Sequence, residues 1–89
     1  MNHRIDEMLE PGSKIGILGG GQLGRMLAVA ATRLGFKSHI FEPAKNSPAS
    51  QVSFQVSTAS YEDEKALIEF AKDVDVITYE FEKSPTSAL

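Results

Sequence analysis

An apolar stretch, Ile15-Gly16-Ile17-Leu18, runs straight into Gly19-Gly20-Gly21 and then into an amphipathic segment that begins at Gln22. A strand, a glycine turn and a helix in immediate succession leave the chain little freedom, because the turn must send the helix back along the strand that feeds it. Gly19, Gly21 and Gly24 fit a G-x-G-x-x-G spacing. In that pattern one glycine makes the tight turn and another packs helix against strand; Gly21 lets backbone approach a ligand, so that a side chain there would act through its bulk and through any strain at positive φ. The helix start offers unpaired N–H groups and the positive end of the helix dipole, which suits an anionic ligand. Glycine triplets also occur in plain turns, so the context decides.

The context is an α/β alternation. Leu23, Met26, Leu27, Ala30, Ala31 and Leu34 recur at helical spacing and predict one apolar stripe, with the Leu23 side chain in the core. Gly35 ends the helix. Lys37 to Glu42 reads as a second strand, its acid eighteen residues beyond Gly24, close to the spacing of the ribose-binding acid in dinucleotide sites. His39 reads as a packed strand residue without an assigned role. Ser47 and Pro48 read as the cap and first residue of a single turn through Val52, and Phe54 to Thr58 as a short third strand. Ser60-Tyr61-Glu62-Asp63 resembles a capping box opening a helix with Leu67, Ile68, Phe70 and Ala71 on its apolar side and Lys72 in its last turn. Val74 to Tyr79 then reads as a buried fourth strand, covered on both faces and ending at Glu80-Phe81-Glu82.

Strands separated by helices imply right-handed crossovers and a Rossmann-like parallel sheet of about four strands, order 3-2-1-4, with helices on both faces. In that order the chain reverses direction between strands 1 and 4. The crevice at their carboxyl ends then lies between the glycine turn and Glu80, which brings Gln22 and Leu23 opposite Glu80. Glu82, past the strand, reads as a solvated or helix-capping carboxylate.

Composition narrows the classes of function. The 89 residues make one small domain, and 42% hydrophobic with 24% charged residues describes a globular chain. A net charge of -3 with scattered Lys and Arg gives no electrostatic footprint for nucleic acid. Without cysteine, and with two isolated histidines, there is no thiol nucleophile or zinc cluster to expect, and no catalytic residue is assigned. Residues 1–13 mix charges without a continuous apolar run and read as a flexible tail rather than a signal peptide or membrane span. The composition suits the cytoplasm.

Gly19-Gly20-Gly21-Gln22-Leu23-Gly24-Arg25-Met26-Leu27, then Ser47-Pro48-Ala49, then Thr78-Tyr79-Glu80-Phe81-Glu82 resemble the N-terminal preATP-grasp domain of the N5-carboxyaminoimidazole ribonucleotide synthetases, members of the ATP-grasp superfamily. The resemblance covers residues 14–89. It implies one domain of a longer ligase of de novo purine synthesis, which joins bicarbonate to 5-aminoimidazole ribonucleotide with ATP hydrolysis through carboxyphosphate. It implies a small-molecule ribonucleotide as partner of this domain, ATP and Mg2+ held by domains beyond it, a homodimeric whole enzyme, and a catalytically silent isolated domain.

The same resemblance implies substrate contacts at Gln22, Leu23 and Glu80, the three residues that the topology also brings together. Gln22 has amide donors and an acceptor, Leu23 a backbone N–H, and Glu80 a carboxylate for ribose hydroxyls. Gly21 is the close-approach glycine beside Gly19, Gly20 and Gly24. Arg25 is a candidate for the substrate phosphate, although a cation at a helix start opposes the dipole and a solvated arginine fits equally. Glu42-Pro43 stands where the family more often has Asp-Pro, and Glu42 is expected to be nearly idle in a synthetase. Two other readings remain: the NAD-binding domain of an oxidoreductase, favoured by Glu42, and a non-catalytic nucleotide-sensing module. Ser84-Pro85 reads as the start of a further helix, as in a fragment of a longer protein.

Overall fold

The computed structural model describes residues 10–79. Residues 1–9 of the expected tail lie outside the described residues, as do Glu80, Phe81, Glu82 and the Ser84-Pro85 pair. The elements run β1 (Lys14–Leu18), α1 (Gln22–Arg33), β2 (Lys37–Phe41), a single 3-10 turn (Ala49–Gln51), β3 (Gln55–Ser57), α2 (Glu64–Asp73) and β4 (Val76–Tyr79). All strand pairs are parallel, in the order β3-β2-β1-β4 that the sequence predicts. Leu18 stands in register with both Phe41 and Tyr79, so β1, β2 and β4 end level with one another beneath the glycine turn.

The two helices cover opposite faces, because successive strand residues point to opposite sides of the sheet. On one face Ile17 and Ile40 pack against Ala28 of α1 and Ala49 of the 3-10 turn, with Ile15, Leu27 and Val52 around them. On the other, Phe70 of α2 meets the rings of His39 and Phe41 edge-on at centroid distances of 4.8 and 5.3 Å. Ahead of β1, the Gly12 N–H donates to the Gly35 carbonyl at 2.8 Å and the Lys37 N–H to the Ser13 carbonyl at 2.8 Å, which fastens the chain's entry to the α1–β2 turn.

The buried line of α1 is Gly24, Ala28 and Ala31, not the stripe of large residues. Leu23, expected in the core, is exposed, and Met26 and Leu34 are each 64% exposed. The side of α1 that meets the sheet is built mainly from small residues, which bring the helix axis close to the strands, with Leu27 packed at its margin, while Leu23, Met26 and Leu34 face outward. A hydrophobicity pattern weights those large residues and misses the packing of the small ones.

Three local expectations are corrected. The α2 cap is Asp63, whose side chain accepts the Ala66 N–H at 3.0 Å. Ser60 instead accepts the Glu62 N–H at 3.0 Å in the turn before the helix. Ser47 does not cap the 3-10 turn, which starts from Pro48 without a side-chain cap. Finally, among the described residues β4 is not covered on both faces: it stands at the edge of the described sheet, half-buried and exposed residues alternate along it, and Ile77 and Tyr79 are exposed.

Candidate functional site

β1 delivers the chain to Gly19, whose φ of +116° takes the sharp bend that L side chains rarely adopt. Gly21 has a φ of -75° and serves as the extended N-cap of α1. Room at Gly21, rather than backbone strain, is therefore what a side chain there would take away. Gly24 fulfils the packing role: a Cβ at this position would run into the Gly19 carbonyl oxygen, a backbone atom.

The turn is anchored on its β2 side. The Gly19 N–H donates to the Phe41 carbonyl at 3.0 Å, and the Gly20 N–H donates to Glu42 Oε1 at 2.7 Å. Glu42 Oε2 accepts the Ala44 N–H at 3.0 Å. The Gly20 carbonyl in turn accepts the Ala49 N–H at 2.9 Å, tying the turn to the Ser47-Pro48-Ala49 segment. Tyr61 lies nearby with its hydroxyl 3.5 Å from the Phe41 carbonyl; burial and the Glu42 carboxylate both raise its pKa above the usual phenolic value.

The opposite side of the turn is different. Gly21 has no side chain with which to cap α1, and the first N–H groups of the helix, at Gln22 and Leu23, have no acceptor within it. Gln22 is exposed at this mouth. The strand neighbouring β1 on this side is β4, and here the order of connections reverses, the location where open α/β sheets bind ligands. Glu80 follows Tyr79 directly in sequence but lies outside the described residues. Arg25 lines a groove of about 550 Å³ along the outer face of α1, together with Gln22, Met26, Val29, Arg33 and Leu34.

The sequence reading missed two sets of residues. Glu42, expected to be nearly idle in the activity of a synthetase, accepts hydrogen bonds from two backbone N–H groups, a structural contact not read from the sequence. Three consecutive glycines beside an acid at the end of the adjacent strand were the available signal. His39, assigned nothing, sits in a polar cluster beneath α2: Nδ1 is 2.8 Å from Asp73 Oδ2 and Nε2 is 2.7 Å from Ser57 Oγ. Lys14 Nζ donates to both Asp73 oxygens, at 2.8 and 3.0 Å, and to Gln55 Oε1 at 3.1 Å. Four elements contribute to this cluster, and no sequence spacing announces it.

Fold and turn together define a Rossmann-like α/β domain with its open helix start at the switch point of a parallel sheet. Residues 12–89 match the model of the ribonucleotide synthetase preATP-grasp domain, and the chain belongs to that family. It is 59% identical over 80 residues to the N5-carboxyaminoimidazole ribonucleotide synthase of Brucella melitensis biotype 1, which covers 90% of this chain and 22% of that protein. Its fold superimposes with a TM-score of 0.79, at 45% identity, on the N5-carboxyaminoimidazole synthetase of Staphylococcus aureus complexed with ADP, covering 82% of this chain and 20% of that one. The corresponding synthase of Aspergillus clavatus, solved with ADP and 5-aminoimidazole ribonucleotide, gives a TM-score of 0.71 at 42% identity over 85% of this chain and 20% of that one. The chain thus spans about a fifth of the length of these relatives.

Proposed function

We propose that this chain is the substrate-binding domain of an ATP-dependent carbon–nitrogen ligase that converts 5-aminoimidazole ribonucleotide, bicarbonate and ATP into N5-carboxyaminoimidazole ribonucleotide, ADP and phosphate in de novo purine synthesis. The family match of residues 12–89 supports this choice among Rossmann-like functions, and the geometry at Glu42 agrees with it. The carboxylate that would hold the ribose of a dinucleotide, Glu42, has each of its oxygens on a backbone N–H, at Gly20 and Ala44. Among the described residues the Gln22-Leu23 mouth on the β4 side stays open, and the names of the relatives supply the ligand class for it.

In this reading the domain binds and orients, and the bond-making chemistry belongs elsewhere in the longer protein. Gln22 offers its amide to the ribonucleotide, Leu23 its N–H, Gly21 the space for approach, and Glu80 accepts hydrogen bonds from the ribose hydroxyls. Arg25 is the cation for the substrate phosphate. Among the described residues no group of three or more His, Cys, Asp or Glu side chains is placed to hold a metal ion. On the family resemblance, Mg2+ and ATP are assigned to the parts of the longer relatives that this chain does not span; the Staphylococcus aureus relative is solved with ADP. No helix among the described residues is long and apolar enough to cross a membrane. On the family resemblance alone we assign the whole protein to the cytoplasm as a homodimer.

The test is made on the full-length protein that carries this chain. ADP release that requires both bicarbonate and 5-aminoimidazole ribonucleotide is expected. Saturable NADH binding by the chain, without ribonucleotide-dependent ATP hydrolysis, would select the oxidoreductase reading instead. Nucleotide affinity with no turnover at all would select the sensing module.

A further inference from the structure

Three glycines in a row are the least self-ordering sequence a chain can have, since each loses more conformational freedom on folding than any other residue. Gly19-Gly20-Gly21 nevertheless has to hold the α1 mouth in one position if Gln22 and Leu23 are to meet a ligand. Something outside the triplet must fix it, and the structure identifies what does.

Glu42 is the charged member of that support. Its Oε1 takes the Gly20 N–H at 2.7 Å, the short distance of a charge-assisted hydrogen bond, and its Oε2 takes the Ala44 N–H at 3.0 Å. Pro43 follows it, which restricts the Glu42 backbone to extended conformations and so narrows the directions its side chain can take. The packing leaves no slack. A Cβ at Gly20 would lie 2.6 Å from Ser47 Oγ and 2.9 Å from Glu42 Cγ. Ser47 is 6% exposed and its hydroxyl finds no hydrogen-bond partner among the described residues, so it contributes contact rather than a bond.

We infer that Glu42 is a positioning residue for ribonucleotide binding: it clamps Gly20 from the β2 side and thereby pre-orders the Gln22-Leu23 mouth that faces β4. The inference rests on the function proposed above. Glu42 touches no substrate in this role. It acts by removing motion that a ligand would otherwise have to freeze, which is how pre-ordering raises affinity. The effect belongs on the ribonucleotide and not on ATP, because the turn that Glu42 braces leads into the Gln22-Leu23 mouth.

Two measurements test it. In the 89-residue chain, amide hydrogen exchange at Gly20 and Ala44 should quicken about ten- to a hundredfold in Glu42→Ala, the range expected for losing a hydrogen bond to a charged group. Glu42→Gln should keep protection at Gly20, where its carbonyl oxygen still accepts, and lose it at Ala44. In the full-length enzyme Glu42→Ala should raise the KM for 5-aminoimidazole ribonucleotide about tenfold with the KM for ATP unchanged, and Glu42→Gln should recover part of that loss. Gln22→Ala, measured alongside, reports on the proposed function itself. Unchanged exchange at Gly20 in Glu42→Ala overturns the clamp. Quickened exchange with an unchanged ribonucleotide KM, while Gln22→Ala raises it, overturns the positioning role and leaves the function standing. An unchanged ribonucleotide KM in Gln22→Ala instead removes the site on which the function rests.

Discussion

His39 Nδ1 stands 2.8 Å from Asp73 Oδ2 and joins the middle of β2 to the last residue of α2. With Nδ1–H donating to Asp73, the neutral ring leaves Nε2 to accept from Ser57, so one side chain ties two strands and a helix together. Ser57, His39 and Asp73 follow one another as in a hydrolytic triad. The ring is only 2% exposed and is stacked edge-on against Phe70, so the arrangement braces the α2 face of the sheet.

That burial makes stability depend on pH. Desolvation lowers the His39 pKa below its ordinary value of 6.5, Lys14 adds to the effect, and the hydrogen bond and charge of Asp73 oppose it without overcoming it. The unfolded chain therefore binds a proton at this ring more readily than the folded one, and stability rises with pH across the interval. Thermal midpoints should be level above pH 7 and fall as the pH drops below about 6.5. A His39→Leu variant, whatever its overall stability, should lack this limb. A second decline, from Asp73, should come only below its ordinary value of 3.8, since hydrogen bonding to Lys14 above all holds that carboxyl lower in the fold.

Removing the carboxylate has a separate cost. Asp73→Ala leaves the buried His39 Nδ1 without its acceptor and the half-buried Lys14 ammonium with Gln55 Oε1 alone of its described acceptors. A buried donor left unpaired typically costs about 1–3 kcal/mol. Urea unfolding should show a loss in that range, with Asp73→Asn closer to wild type because its amide oxygen still accepts.

Gly24→Ala should destabilise the chain although it improves helix propensity. The gain is roughly 1 kcal/mol. It is set against overpacking onto the Gly19 carbonyl oxygen, which cannot turn aside and typically costs about 1–3 kcal/mol. Gly35→Ala provides the contrast. Its surroundings are open and its φ of +92° alone opposes a side chain, for about 1–2 kcal/mol. Both losses should appear in denaturant midpoints, but only Gly24→Ala should also weaken ribonucleotide binding, because only it displaces the turn.

For Glu80 the expectation comes from sequence and strand order. In the full-length enzyme Glu80→Ala should raise the KM for 5-aminoimidazole ribonucleotide by about ten- to a hundredfold, as for a lost hydrogen bond to a charged group, with the KM for ATP nearly unchanged. Glu82→Ala should do less. A Glu80→Ala enzyme with a normal ribonucleotide KM, or with its defect in ATP binding, would reassign the crevice.

The strand order was legible because glycine turn, helix and strand periodicity leave few ways to connect four short strands. The helix starts were less legible. Ser60 and Ser47 carry the right chemistry for caps, yet Asp63 and Pro48 lie nearer the turns that end each loop, and the backbone chose those. The site divides in the same way. Gly19 and Gly24 could be read from spacing, because each does something that only glycine can. Glu42 was matched to the role its spacing has in dinucleotide proteins, and its real contact with Gly20 depends on how β1 and β2 end level with each other. His39 could not be read at all, since its partners come from two other elements brought to it only by the finished fold.

The small residues along the inner side of α1 have an effect at a distance. Ala28 and Ala31 set how near the helix lies to the sheet, and Gln22 is the first residue of the same rigid rod, roughly 13 Å from Ala31 at 1.5 Å per residue. A bulkier side chain at Ala31 would act like a wedge driven under one end of a beam. The displacement would be felt at the far end, where the beam carries Gln22, so ribonucleotide affinity would respond to a change that never touches the ligand.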